Sequence, residues 1–203
     1  MEKLDLKKQY KALYNPPSTQ VVMADVPRLQ FLMIDSRGDP NTSVEFQQAI
    51  EALYGVAYTL KFMMKLEKEL LDYPVMGLEG LWWAQDMEAF CRGDKSDWLC
   101  TLMIMQPEAI VQEYVAEAQE KVREKKNPPA LDKLRLEWFE EGKCAQIMHR
   151  GPYAEEGPTV AKLHEFIAAG GLRLRGKHHE VYLTDPRRCK PQNMKTVLRQ
   201  PVE

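Results

Sequence analysis

The sequence predicts an α+β fold: a mainly antiparallel sheet, helices on one side of it, and an internal duplication whose halves face a ligand cleft. Three observations predict it. Near the end, Ala145-Gln146-Ile147-Met148-His149-Arg150-Gly151-Pro152-Tyr153 reads as a strand entering a tight turn. A helix follows, then a strand over His179-Glu180-Val181-Tyr182-Leu183-Thr184-Asp185-Pro186 that carries one acid, Glu180. Upstream, Phe31–Pro40 repeats the order of apolar strand, Arg-Gly and proline turn; a helix and the strand Thr101–Pro107 follow. Aligned on their prolines, Thr101 falls opposite Glu180, and a duplicated unit of this kind implies two half-domains with a cleft between them. Third, hairpin signals are present and Gly-rich phosphate loops are not, which favours α+β over a parallel α/β sheet.

The elements follow in order. Residues 1–20, with Tyr10, Tyr14 and Asn15-Pro16-Pro17, read as an N-terminal arm; 21–203 form one domain with halves of about 21–126 and 131–190. Gln20–Ala24 and Leu29–Asp35 are strands around the turn Asp25-Val26-Pro27-Arg28. Thr42 to Glu45 fits a capping box, and Phe46, Ile50, Leu53, Ala57, Leu60 and Met64 give the apolar stripe of a helix running towards Leu71, closed by Tyr73-Pro74. Leu78–Ala84 is a short aromatic strand, Asp86–Ser96 a polar loop and Trp98–Met105 an apolar strand. Pro107 takes the first position of the next helix, whose buried stripe is Val111, Val115, Ala118 and Val122. After the linker Asn127-Pro128-Pro129, Leu134, Leu136 and Trp138 alternate on a half-buried strand. Glu140-Glu141-Gly142-Lys143 turns as a hairpin into Cys144–His149. Val160, Leu163 and Ile167 line the last helix, and Gly170-Gly171 ends it.

Composition narrows the class. With 203 residues, 44% hydrophobic and 29% charged, the chain can bury a core like an ordinary globular protein. A net charge of −2 gives no field favouring nucleic acid or an anionic membrane, so neither is an expected direct partner. No apolar run approaches the ~20 residues of a membrane span, and the start lacks a signal-peptide core, so a cytoplasmic protein is expected. Cys91, Cys100, Cys144 and Cys189 form no Cys-x-x-Cys pair and read as free thiols. His178 and His179 are adjacent and point to opposite faces of a strand, so no metal and no cofactor is expected.

His149-Arg150-Gly151-Pro152-Tyr153, Glu180-Val181-Tyr182-Leu183-Thr184-Asp185-Pro186 and Leu78-Glu79-Gly80-Leu81-Trp82-Trp83 together resemble the GyrI-like small-molecule-binding domain. The same domain forms the effector-binding half of multidrug-responsive transcription regulators. The resemblance runs from about Val21 onwards and implies two β-α-β-β-type modules related by a pseudo-twofold. Some stand-alone members look like hydrolases that open the cyclopropane ring of DNA-alkylating natural products in an aromatic cage, and the Trp pair keeps that activity in view. Only about twenty residues precede the first strand and form no helix-turn-helix, so this chain is not expected to be a transcription factor by itself.

Strand alternation puts Glu180, Tyr182 and Thr184 on one face and Val181 and Leu183 on the other. Helices are expected to cover the Val181 side, leaving the Glu180/Tyr182 face to solvent or cleft. The expected catalytic residues are Glu180 and Tyr182. Trp82, Trp83, Trp138 and Tyr153 are the expected ligand-binding residues, with Trp82 and Trp83 on opposite faces and the choice between them open. His149 reads as structural. Gly-x-Ser-x-Gly and a Cys–His pair are missing, so covalent hydrolysis lacks its parts. The expected function is binding of planar aromatic or cationic small molecules with hydrolysis of strained electrophiles. A non-catalytic multidrug-binding or sensing module is the alternative, and an inhibitor of a DNA-handling enzyme ranks third. The sequence leaves a homodimer open.

Overall fold

The computed structural model describes residues 1–84 and 98–203; the expected polar loop Asp86–Ser96 and Cys91 lie outside the described residues. The elements are β1 (Glu2–Lys3), α1 (Leu6–Gln9), α2 (Lys11–Tyr14), β2 (Val22–Val26), β3 (Leu29–Arg37), α3 (Val44–Phe62, continued by a π-helical turn, Met63–Glu67), β4 (Leu71–Asp72), β5 (Glu79–Ala84), β6 (Trp98–Gln106), α4 (Gln112–Lys125), β7 (Arg135–Phe139), β8 (Gly142–Arg150), α5 (Gly157–Ala169), β9 (His178–Tyr182) and β10 (Lys195–Pro201). The α+β class is borne out. Eight strands are hydrogen-bonded in the order β2-β8-β10-β9-β5-β6-β3-β7, and every register described among them is antiparallel. The chain divides into two compact units: Met1–Gln9, Leu29–Met76 and Trp83–Phe139 in the first; Tyr10–Arg28, Gly77–Trp82 and Glu140–Glu203 in the second.

In the first unit α3 packs on β3 and β6, burying Ala52, Leu53, Val56 and Leu60 with Leu32, Ile34, Leu102 and Ile104. α4 packs on α3 through Val115, Ala118 and Val122. The N-cap of α3 is Ser43 rather than Thr42. Its Oγ accepts from Phe46 N at 3.2 Å and donates to the Arg37 carbonyl at 2.9 Å, tying the helix to the strand before it. Glu45 pairs with Lys133 and Arg37. α3 stops before Leu71, because Leu71–Asp72 pairs with Glu2–Lys3 instead. Pro107 does not open α4; it starts a turn closed by Ile110 N donating to its carbonyl, and Val111, 43% exposed, is the N-cap.

In the second unit α5 sets Leu163 and Ile167 on Ala145, Ile147, Leu198 and Val202. Two expectations fail here. Glu140–Lys143 is not a hairpin: β7 pairs with β3, whereas β8 pairs with β2 and β10, and Gly142 at φ +66 turns the chain without joining the two strands. The sequence reading also passed over β10, whose Val197-Leu198 lies between Lys195, Thr196, Arg199 and Gln200. That strand corrects the duplication. The order β-α-β-β occurs as β3-α3-β5-β6 and β8-α5-β9-β10, with β6 paired to β3 as β10 is to β8. The strand ending at Pro107 therefore corresponds to β10, not to the Glu180 strand, and Thr101 is not the counterpart of Glu180. The Thr101 hydroxyl donates to Asp35 at 2.7 Å.

Candidate functional site

The register of β9 decides which residues meet Glu180. Glu180 lies opposite Gly80 on β5 and Leu198 on β10, so it shares a face with Trp82, Tyr182, His178, Ile147 and Leu198. This is the face on which α5 packs, so the expected cover is reversed. The Val181 face carries Glu79, His179, Arg199 and Gln146, and it is covered by the arm. Tyr14 Oη donates to Glu79 at 2.6 Å, Gln146 to the Ala12 carbonyl at 2.8 Å and Arg199 to the Leu13 carbonyl at 3.0 Å.

On the Glu180 face, Trp82 Nε1 donates to Tyr182 Oη at 2.9 Å. The phenol lies near Glu180, two residues away on the same strand face. Gly80 permits this approach: a Cβ there would sit 2.7 Å from Trp82 Nε1 and 3.2 Å from Tyr182 Oη. Tyr153, 38% exposed at the turn before α5, stands edge-on to the Tyr182 ring at 5.5 Å and 72°. His178 Nε2 lies 3.6 Å from Glu180 Oε1. Burial, then the nearby charge of Glu180, raise the Tyr182 phenol well above its usual pKa, so it stays protonated. The Glu180 side chain is 16% exposed.

Glu180, Tyr182, Trp82 and Tyr153 thus come together in the second unit. Trp82 is 3% exposed on the Glu180 face; Trp83 and Trp138 belong to the first unit. Trp138, 42% exposed on β7, borders a depression of about 390 Å³ with Gln30, Glu108, Ile110, Val111, Gln112 and Leu136. The Gln30 amide there donates to the Pro107 and Ile110 carbonyls. His149 is 6% exposed and its Nδ1 lies 2.9 Å from Thr159 Oγ1, in keeping with a structural role. Sequence reasoning missed His178 at this site, although its spacing two residues before Glu180 on one strand was a usable signal.

It also missed the buried network on the reverse face. His179 lies with Nδ1 2.8 Å from Glu141 and Nε2 3.0 Å from Glu79, and Arg199 Nη1 donates to Glu141 at 2.9 Å. All four side chains are at most 3% exposed. Burial raises the Glu141 carboxyl, but His179 and Arg199 outweigh it and hold the group at about 2. Burial lowers His179, yet Glu141 and Glu79 raise it overall. Both ring nitrogens face carboxylates, an arrangement that favours the imidazolium, while Arg199 Nη1, 3.4 Å from Nδ1, opposes it. Among the described residues no group of three or more His, Cys, Asp or Glu side chains is arranged to hold a metal ion. Nor is any described helix long and apolar enough to cross a membrane.

The GyrI-like small molecule binding domain model matches residues 19–203. The chain belongs to this family. A comparison with curated proteins finds no match. Among solved structures, the chain is similar to an uncharacterized conserved protein from Listeria innocua at 39% identity and TM-score 0.88, over 98% of this chain and all of that one. It is also similar to two structures described as hydrolases from Listeria innocua. Each is 38% identical, with TM-scores of 0.85 and 0.86, over 98% and 100% of this chain and 100% of theirs. The EcmrR C-terminal domain shares the GyrI-like fold at 9% identity and TM-score 0.57.

Proposed function

We propose that this GyrI-like domain binds flat, electrophilic small molecules at the Glu180 face and hydrolyses strained rings of the cyclopropane-fused dienone type. The observation that carries the reading is the assembly of Glu180, Tyr182 and Trp82 on one face, with the Trp82 N–H donating to the Tyr182 phenol and Gly80 leaving room for it. The hydrolase description of two relatives supports turnover as a class. Tyr153, 38% exposed, supplies aromatic surface for a planar ligand, at roughly 0.5–1.5 kcal/mol per well-placed ring pair beyond area burial, while the buried Trp82 fixes the Tyr182 phenol behind it. Tyr182 keeps its own proton beside Glu180. Glu180 then takes a proton from water as the water oxygen bonds to a cyclopropane carbon. The ring C–C bond breaks, its electron pair passes into the conjugated carbonyl, and the proton returns to that oxygen, so that one water is added overall. Positioned acid–base help of this kind is worth roughly 10²–10⁴-fold.

The test is single-turnover hydrolysis of a cyclopropane-bearing alkylator, read by mass spectrometry as addition of one water. Glu180→Gln keeps size and hydrogen bonding but cannot accept the proton, so it should bind normally and lose most turnover. Absence of the water adduct with wild type would remove the enzyme reading and leave a small-molecule-binding module. Wild-type rates in Glu180→Gln would remove Glu180 as the base.

A further inference from the structure

We propose that the outward face of α3 is a self-association surface, through which two copies of this chain pair as antiparallel helices. Tyr58, Phe62 and Leu66 follow one another at intervals of four along α3 and its π-helical turn. They are 49%, 50% and 65% exposed; Leu70, four residues on, is 52% exposed. Tyr54, one turn earlier, stacks on Tyr58 at 6.1 Å and 29°. The opposite side of α3 is the buried one, with Ala52, Leu53, Val56 and Leu60. α3 therefore carries an exposed apolar stripe in addition to its buried face, a pattern that belongs to helices covered on both sides. α4, in the same unit, shows the ordinary alternative, since its exposed positions include Glu113, Glu120 and Glu124.

Charge selects the occupant. With Tyr58 set against its own copy in an antiparallel pair, Tyr54 meets the second Phe62, Ile50 the second Leu66, and Glu51 the second Lys65. Glu51 is exposed and has no ion pair among the described residues. Lys65, 37% exposed, lies 2.8 Å from Asp72 and keeps a side open to a further carboxylate. A parallel pair would instead set Glu51 on Glu51 and Lys65 on Lys65, which is repulsive. The two-fold arrangement uses one patch on both copies and closes at two. One helical stripe per copy falls below the roughly 800 Å² per partner of a standard interface, so association is weak and concentration-dependent.

Sedimentation velocity of the full chain over a wide concentration series tests this. The wild-type mass is expected to rise towards twice the monomer, while Phe62→Glu stays monomeric with an unchanged melting midpoint, because the side chain is exposed. Glu51→Lys is expected to weaken dimerisation several-fold. As a second reading, Tyr58→Cys under mild oxidation should give a peptide pair linked through position 58 of both copies. A wild-type chain that stays monomeric throughout, or a Phe62→Glu chain that dimerises like wild type, overturns the proposal. A dimer that never links through position 58 overturns the antiparallel pairing.

Discussion

Replacing Glu141 by Gln removes one negative charge from the buried set Glu79, His179, Glu141 and Arg199 with almost no change of volume. In the folded protein this carboxyl is held at about 2 against an ordinary 4.5. At 1.36 kcal/mol per pKa unit, the difference corresponds to roughly 3 kcal/mol of stability at neutral pH. The loss of one partner from a buried ion pair typically costs about 3–5 kcal/mol, which agrees. For a chain of this size that is a fall of about 6–12 °C in melting midpoint. The sign with pH follows from the direction of the shift. A lowered carboxyl stabilises above its unfolded value, so wild type should lose this contribution as pH falls from 4.5 towards 2, and Glu141→Gln should not. His179 runs the other way. Its raised pKa makes its contribution complete below about 6.5, and it is lost as pH rises through the folded value. Thermal and urea unfolding across pH would measure both limbs. A Glu141→Gln variant within 2 °C of wild type at pH 7, with an unchanged acid limb, would refute the reasoning.

Two further outcomes follow from the site and the core. Gly80→Ala places a methyl group 2.7 Å from Trp82 Nε1 and should break the Trp82–Tyr182 hydrogen bond, costing about 1–3 kcal/mol; thermal unfolding and tryptophan fluorescence report it, and an unaltered spectrum and midpoint would count against the close approach. Burial pushes the Cys100 and Cys144 thiols up to about 12, so alkylation near pH 8 with peptide mass spectrometry should spare both until denaturant is added, and prompt labelling of either would contradict their placement.

Much of this fold was written in local pattern. The alternation of β3, the stripes of α3 and α5, and the turn at Gly151-Pro152 need only neighbouring residues, and they led to an α+β chain with Glu180 marked on its strand. The opposite facing of His178 and His179 also followed from strand alternation alone. Tertiary structure decided the rest. Glu141 sits in a Glu-Glu-Gly-Lys stretch that looks like a solvated turn; only His179 and Arg199, brought in from β9 and β10, make burial of that charge favourable. β10 stayed hidden for the same reason, since Arg199 looks like a surface residue until its partners are known. Which face α5 covers, and therefore that Trp82 rather than Trp83 meets Tyr182, depends on the register between β5, β9 and β10. Register is a pairing between distant segments, and a slip of one residue would have turned Glu180 to the other side.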